Sequence, residues 1–149
     1  MGGIPVTVGA PTGPGRLYPR YLNRSKIFVI QSPMTRPCPH GVNIDGRLIL
    51  DFDGGRILAG AELLGRIGGK GKVAISRPSA TPGDIHLGEA LTGSCDYDWP
   101  VHWNYDVQQD MGRISFDDGE FDRAIALSDT ASALLKDDHL IGFWFSLAR

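Results

Sequence analysis

VNIDGRLILDFDGGRILAGAELL, residues 42–64, is the stretch in which side-chain pattern, turn chemistry and composition agree on one local structure. From Arg47 to Asp53 the side chains alternate. Leu48, Leu50 and Phe52 fall on one face and Arg47, Ile49, Asp51 and Asp53 on the other, the period of two that a half-buried strand requires. Asp53-Gly54-Gly55 supplies residues that tolerate positive φ, so the chain can reverse tightly before Arg56-Ile57-Leu58 pairs back. The expectation is a β-hairpin over 42–64.

Working outward, Gly112 to Leu127 repeats the same grammar. Ile114 and Phe116 alternate with Arg113 and Ser115, Asp117-Asp118-Gly119 offers a turn, and Phe121, Arg123, Ile125 and Leu127 alternate on the return, which predicts a second hairpin over 112–127. Ser128-Asp129 reads as a helix cap, with Ala131, Leu134 and Leu135 as the apolar side of one short helix over 129–136, ended by Asp137-Asp138. Further strands are expected at Ile4 to Val8, Ser25 to Ile30, Val73 to Ser76, Ile85 to Leu87 and Leu140 to Leu147. Residues 1–15 are Gly- and Pro-rich enough to form a loosely ordered arm, and Gly65 to Gly71 is a connector without the G-x-x-x-x-G-K-[ST] spacing of a phosphate loop. The fold class that follows is α+β and β-rich, mainly antiparallel sheet built from hairpins, in one domain spanning 1–149.

With 149 residues, 42% of them hydrophobic, the chain can bury one core. No apolar run approaches the ~20 residues of a membrane helix, and the first residues lack the basic and apolar regions of a secretory signal, so a cytoplasmic protein is expected. Cys38 and Cys95 belong to no C-x-x-C pair; a disulfide between them is one reading, and two buried or incidental thiols is the one favoured for a cytoplasmic chain.

The net charge of −2 hides a gradient: residues 1–44 carry +5, residues 45–86 carry +1 and residues 87–149 carry −8. An acidic C-terminal part suits a basic protein partner and makes direct nucleic-acid binding an unfavourable reading.

CDYDWPVHWNYD, residues 95–106, is the densest group of recognition-type side chains. A plain strand would turn Trp99, Val101 and Trp103 to a core and His102 and Asn104 to water. Asp96, Asp98 and His102 are usable metal ligands but lack a diagnostic spacing, so no metal or cofactor is assigned. An enzyme would draw on Cys38 or Cys95 with His40, His86, His102 or His139, or on Asp98 with His102 in a pocket at Trp99 and Trp103, yet none of these sets has a local signature. The reading that absorbs most features is a non-catalytic protein-binding module of the immunity or antitoxin type. It would block a basic, nuclease-like toxin through Asp96, Asp98, Asp106, Asp117, Asp118, Glu120 and Asp122, with Trp99 and Trp103 as anchors. The alternatives are a small enzyme, or a small-molecule binder with a pocket around Trp99, His102 and Trp103 in a barrel-like sheet.

Within the opening stretch, Asp51 to Leu64 resembles the signature of a family of small bacterial β-rich domains of no established activity, which runs D-x-D, Gly, a basic residue, two apolar residues, then G-x-E-x-L. The resemblance implies a bacterial origin and a hairpin, and implies no chemistry.

Overall fold

The computed structural model describes residues 2–12, 16–22, 24–64 and 74–147. Its regular elements are all strands. In chain order they are β1 (Ile4–Gly9), β2 (Tyr18–Leu22), β3 (Ile27–Gln31), β4 (His40–Ile44), β5 (Leu48–Phe52), β6 (Leu58–Leu64) and β7 (Thr81–Pro82), followed by β8 (Asp84–Leu87), β9 (Ser94–Tyr97), β10 (His102–Asp106), β11 (Met111–Ser115), β12 (Arg123–Ala126), β13 (Ala131–Lys136) and β14 (His139–Ser146).

The 42–64 region carries one strand more than the hairpin reading gives it. Asp45 and Gly46 both take positive φ, 56° and 64°, within the three-residue turn, 45–47, that joins β4 to β5. Asn43 Oδ1 accepts the Gly46 N–H at 2.9 Å and holds that turn. Asp53 Oδ1 accepts from Gly55 and Ile57, both at 2.9 Å, and closes the loop between β5 and β6. The result is the centre of one sheet, ordered β2-β3-β6-β5-β4-β9, antiparallel except where β9 runs parallel to β4.

The other sheet is ordered β10-β11-β14-β13-β12-β7 and corrects two expectations. First, there is no helix among the described residues: 131–136 is a central strand between β12 and β14, so the fold is all-β and not α+β. Ala131 to Leu135 are buried on both faces, and a short segment buried all round carries no periodicity that separates strand from helix. Asp137 and Asp138, expected to end a helix, take φ of 48° and 60° and form the tight turn into β14. Second, residues 112–127 are not a hairpin. β11 pairs with β10 and β14, while β12 pairs with β13 and, in parallel, with β7, so β14 and β13 lie between the two expected partners.

β1 joins the sheets along one side. Its first residues pair with β14, Val6 to Gly9 pair with β8, and His86 of β8 bridges to Ile57 at the start of β6. The strand expected at Ile4 to Val8 is present as Ile4–Gly9, with Ile4 and Val6 in the core. The expected strand at 73–76 begins outside the described residues, and 74–76 have no strand pairing. The connector at 65–71 also lies outside them.

The inner faces of both sheets supply one core. Phe28, Ile30, Leu48, Leu50, Phe52 and Leu63 come from one sheet and Ile114, Ile125, Ala133, Phe143 and Phe145 from the other. The Phe145 ring fills the space that a Cβ at Gly112 would need, so the glycine lets β11 lie against β14 with that ring turned inward. A smaller cluster of Ala124, Leu134, Ile141 and Trp144 lies on the outer face of the β14 sheet.

Candidate functional site

The 95–106 segment folds much as a plain strand alternation implies. Val101 is buried and Trp103 packs partly buried against the core, while His102 and Asn104 are exposed on the opposite side of β10. Trp99 stacks on Tyr97 at 4.1 Å between ring centroids and faces Phe116 at 6.2 Å. The cleft beside it, about 120 Å³, is lined by Gly2, Pro100, Phe116, Asp117 and Asp118. Neither His102 nor Trp103 reaches that cleft. No hydrogen bond or ion pair joins Asp98 to His102, and both are exposed, so nothing desolvates the pair.

Trp99 instead stands in an acidic rim. The segment 98–100 adjoins the loop 117–122, and that loop in turn adjoins the β13–β14 turn at 137–138. Asp117 and Asp118 border the Trp99 cleft, and Asp122 Oδ2 accepts the Asp137 N–H at 3.1 Å. Asp117 Oδ1 accepts the Gly2 N–H at 2.8 Å and Oδ2 the Gly119 N–H at 3.0 Å. Burial pushes the Asp117 carboxyl up, but those two N–H groups and the Lys136 ammonium outweigh it and hold the pKa below the ordinary value. Asp98, Asp118, Glu120, Asp122, Asp137 and Asp138 are all exposed, with Lys136 and Arg123 as the nearby cations of β12 and β13.

Three of the expected contacts fall elsewhere. Asp106 lies at the far end of β10, roughly 13 Å along the strand, where Oδ1 accepts from Gln108 and Gln109 at 3.1 and 3.3 Å and organises a turn. Trp103, partly buried against the core as Trp99 also is, does not line the Trp99 cleft. Asp96 pairs in register with Asn43 on the other sheet and borders a cleft of about 280 Å³ shared with Cys38, Cys95 and Asp51. Both thiols are free. Burial, then the Asp51 charge, pushes the Cys38 thiol up against the opposing pull of Arg36, which disfavours the nucleophilic thiolate. Of the histidines, His40 accepts the Gly93 N–H on Nδ1 at 3.0 Å, and the His139 ring lies 2.8 Å from the Asp137 carbonyl. No group of three His, Cys, Asp or Glu among the described residues could hold a metal ion.

A second site was not anticipated from the sequence. On the outer face of the β14 sheet, strand register aligns Asn104, Arg113, Trp144 and Ser132 in one row across β10, β11, β14 and β13. Residues 74–78 cross this face, held where the Ile75 N–H meets Asp106 Oδ2 at 3.4 Å and where Arg77 Nη1 donates to the Asp129 carbonyl at 2.8 Å. Between that segment and Phe121 lies a groove of about 350 Å³ with Trp144 and Leu134 among its lining side chains. The Arg77 guanidinium stands 4.7 Å from the Trp144 ring centroid and that of Arg113 stands 5.2 Å from the Phe121 centroid. Trp144 is only 2% exposed, yet its Nε1–H has no hydrogen-bond partner among the described residues, and neither does the buried Nε–H of Arg113. The sequence signal that could have located this face is the outward position of Trp144 in a final strand whose other aromatics, Phe143 and Phe145, turn inward.

No helix among the described residues is long and apolar enough to cross a membrane. Comparison with family models of known proteins finds no match, and comparison with curated proteins finds none either.

Proposed function

We propose that this chain is a non-catalytic binding module of the cytoplasm, whose acidic rim covers the basic surface of a protein partner in the manner of an immunity protein or antitoxin blocking a nuclease-like toxin. The observation that carries the reading is the contact of the 98–100 segment with Asp117 and Asp118 and of Asp122 with the β13–β14 turn at 137–138. Asp117 and Asp118 border Trp99, Asp98 adjoins it in sequence, and the exposed Glu120, Asp122, Asp137 and Asp138 extend the acidic surface from there. A nuclease must bind phosphate and so presents cations, and a rim of carboxylates offers complementary charge and rapid steering. Trp99, held flat between Tyr97 and Phe116, is a preorganised aromatic anchor with little rotamer freedom left to lose. The same rim repels a phosphate backbone, which is why the partner is a protein and not nucleic acid.

The test is capture from lysate by the wild-type chain and by the triple variant Asp98→Lys, Asp118→Lys, Glu120→Lys, followed by association kinetics with the captured protein across ionic strength. A basic partner should be retained by the wild type alone, and its association rate should fall steeply with salt. Equal capture by both chains, or rates indifferent to salt, overturns the reading.

A further inference from the structure

We infer that the groove between residues 74–78 and Phe121 is a binding site for a small organic carboxylate with an apolar body, a site separate from the acidic rim and independent of what the rim binds.

The argument begins with donors that lack acceptors. Unpartnered buried N–H groups are rare in folded proteins because each forfeits its hydrogen bond to water, so two beside one cavity require an explanation. Trp144 supplies a donor and no acceptor, and Arg113 supplies donors only. The cavity lining contains no acidic residue, although the chain as a whole is acidic. Among the described residues neither Arg77 nor Arg113 is ion-paired. A ligand that brings acceptor atoms and negative charge would satisfy these donors and the two guanidinium groups together.

The apolar part of the lining narrows the class. Ile75, Pro78, Phe121 and Leu134 present hydrocarbon, and a strongly hydrated inorganic anion gains nothing from such walls. A carboxylate matches the planar edge of a guanidinium whose Nε–H is free, and an aromatic or aliphatic body buries against the remaining walls. The volume lies at the small end of the range for small-molecule sites, which suits a compact ligand.

Phenylacetate is a suitable probe, with phenylacetamide as its neutral counterpart and inorganic phosphate as the anion without an apolar body. Titrations of the full chain are followed through the three indole N–H resonances, with that of Trp144 identified by its loss in Trp144→Phe. Phenylacetate should shift the Trp144 resonance saturably and leave those of Trp99 and Trp103 in place. Phenylacetamide should bind about tenfold more weakly or worse, and Arg113→Gln should weaken phenylacetate by about tenfold or more. Arg77→Gln is the second variant, because Arg77 is exposed and its removal leaves the core untouched. It should weaken phenylacetate in the same direction. No saturable shift with millimolar phenylacetate overturns the inference. So does equal binding of the acid and the amide, a response to phosphate alone, or undiminished binding by both arginine variants.

Discussion

Phe28 of β3 and Phe145 of β14 meet across the sandwich with ring centroids 4.2 Å apart and planes inclined at 35°. Each ring is about 1% exposed, and each belongs to a different sheet, so the pair is a direct seam between the two halves of the core. Phe28→Ala and Phe145→Ala should each cost about 3–5 kcal/mol. Because the rings share a contact, the double variant should lose less than the sum of the two. Urea unfolding of the four proteins reads the coupling directly, and strict additivity would mean that the seam carries no energy of its own.

Asp51 gives a pH-dependent prediction of definite sign. Burial raises its pKa above the ordinary 3.8, because the carboxylate is disfavoured where water is partly excluded. The ionised group therefore costs stability at neutral pH, and the cost fades as the pH falls through the raised value. Asp51→Asn should be more stable than the wild type at neutral pH, and the two should converge below the ordinary 3.8. Thermal melts across that window decide it, and a variant less stable at neutral pH would contradict the assignment.

The turn between β13 and β14 offers a third test. Asp138 occupies the left-handed region at φ 60° without being glycine. Asp tolerates that region better than most residues, while Ala bears the full steric penalty. Asp138→Ala should lose about 1 kcal/mol, and Asp138→Gly should equal or exceed the wild type. Equal melting temperatures for the Ala and Gly variants would show that this turn does not hold its geometry in solution.

What could be read beforehand follows how far apart in sequence the interacting parts lie. The alternation from Leu48 to Phe52 and the reversal after it are local, and the β5–β6 pairing follows from them, although the residue there that takes positive φ is Arg56, at 67°, and not Asp53, Gly54 or Gly55. The Asp45-Gly46 turn was equally local, but it lies inside the stretch assigned to a single hairpin. Residues 131–136 misled because Ala, Ser, Leu and Lys are acceptable helix formers and because a strand buried on both faces shows no alternation. Nothing local could have separated β11 from β12, since β14 inserts from further along the chain. The site followed the same rule. Trp99 and the acids of loop 117–122 were visible as a composition, whereas Asp137 and Asp138 joined them only through the β13–β14 turn. The Arg77, Arg113 and Trp144 groove depends on a segment crossing a sheet face, which no pattern of spacing encodes.

The position of β14 bears on how the protein is made. It lies between β11 and β13 and also carries β1, so these three strands, paired on their other sides with β10, β12 and β8, each lack their second neighbour until His139–Ser146 is in place. During synthesis the β2-β3-β6-β5 portion of the other sheet can assemble early, from strands near one another in the chain, while the facing edges of β11 and β13 stay unpaired until β14 emerges. A ribosome stalled before residue 139 would hold a half-sandwich with two adhesive edges, the form most prone to aggregate or to be degraded.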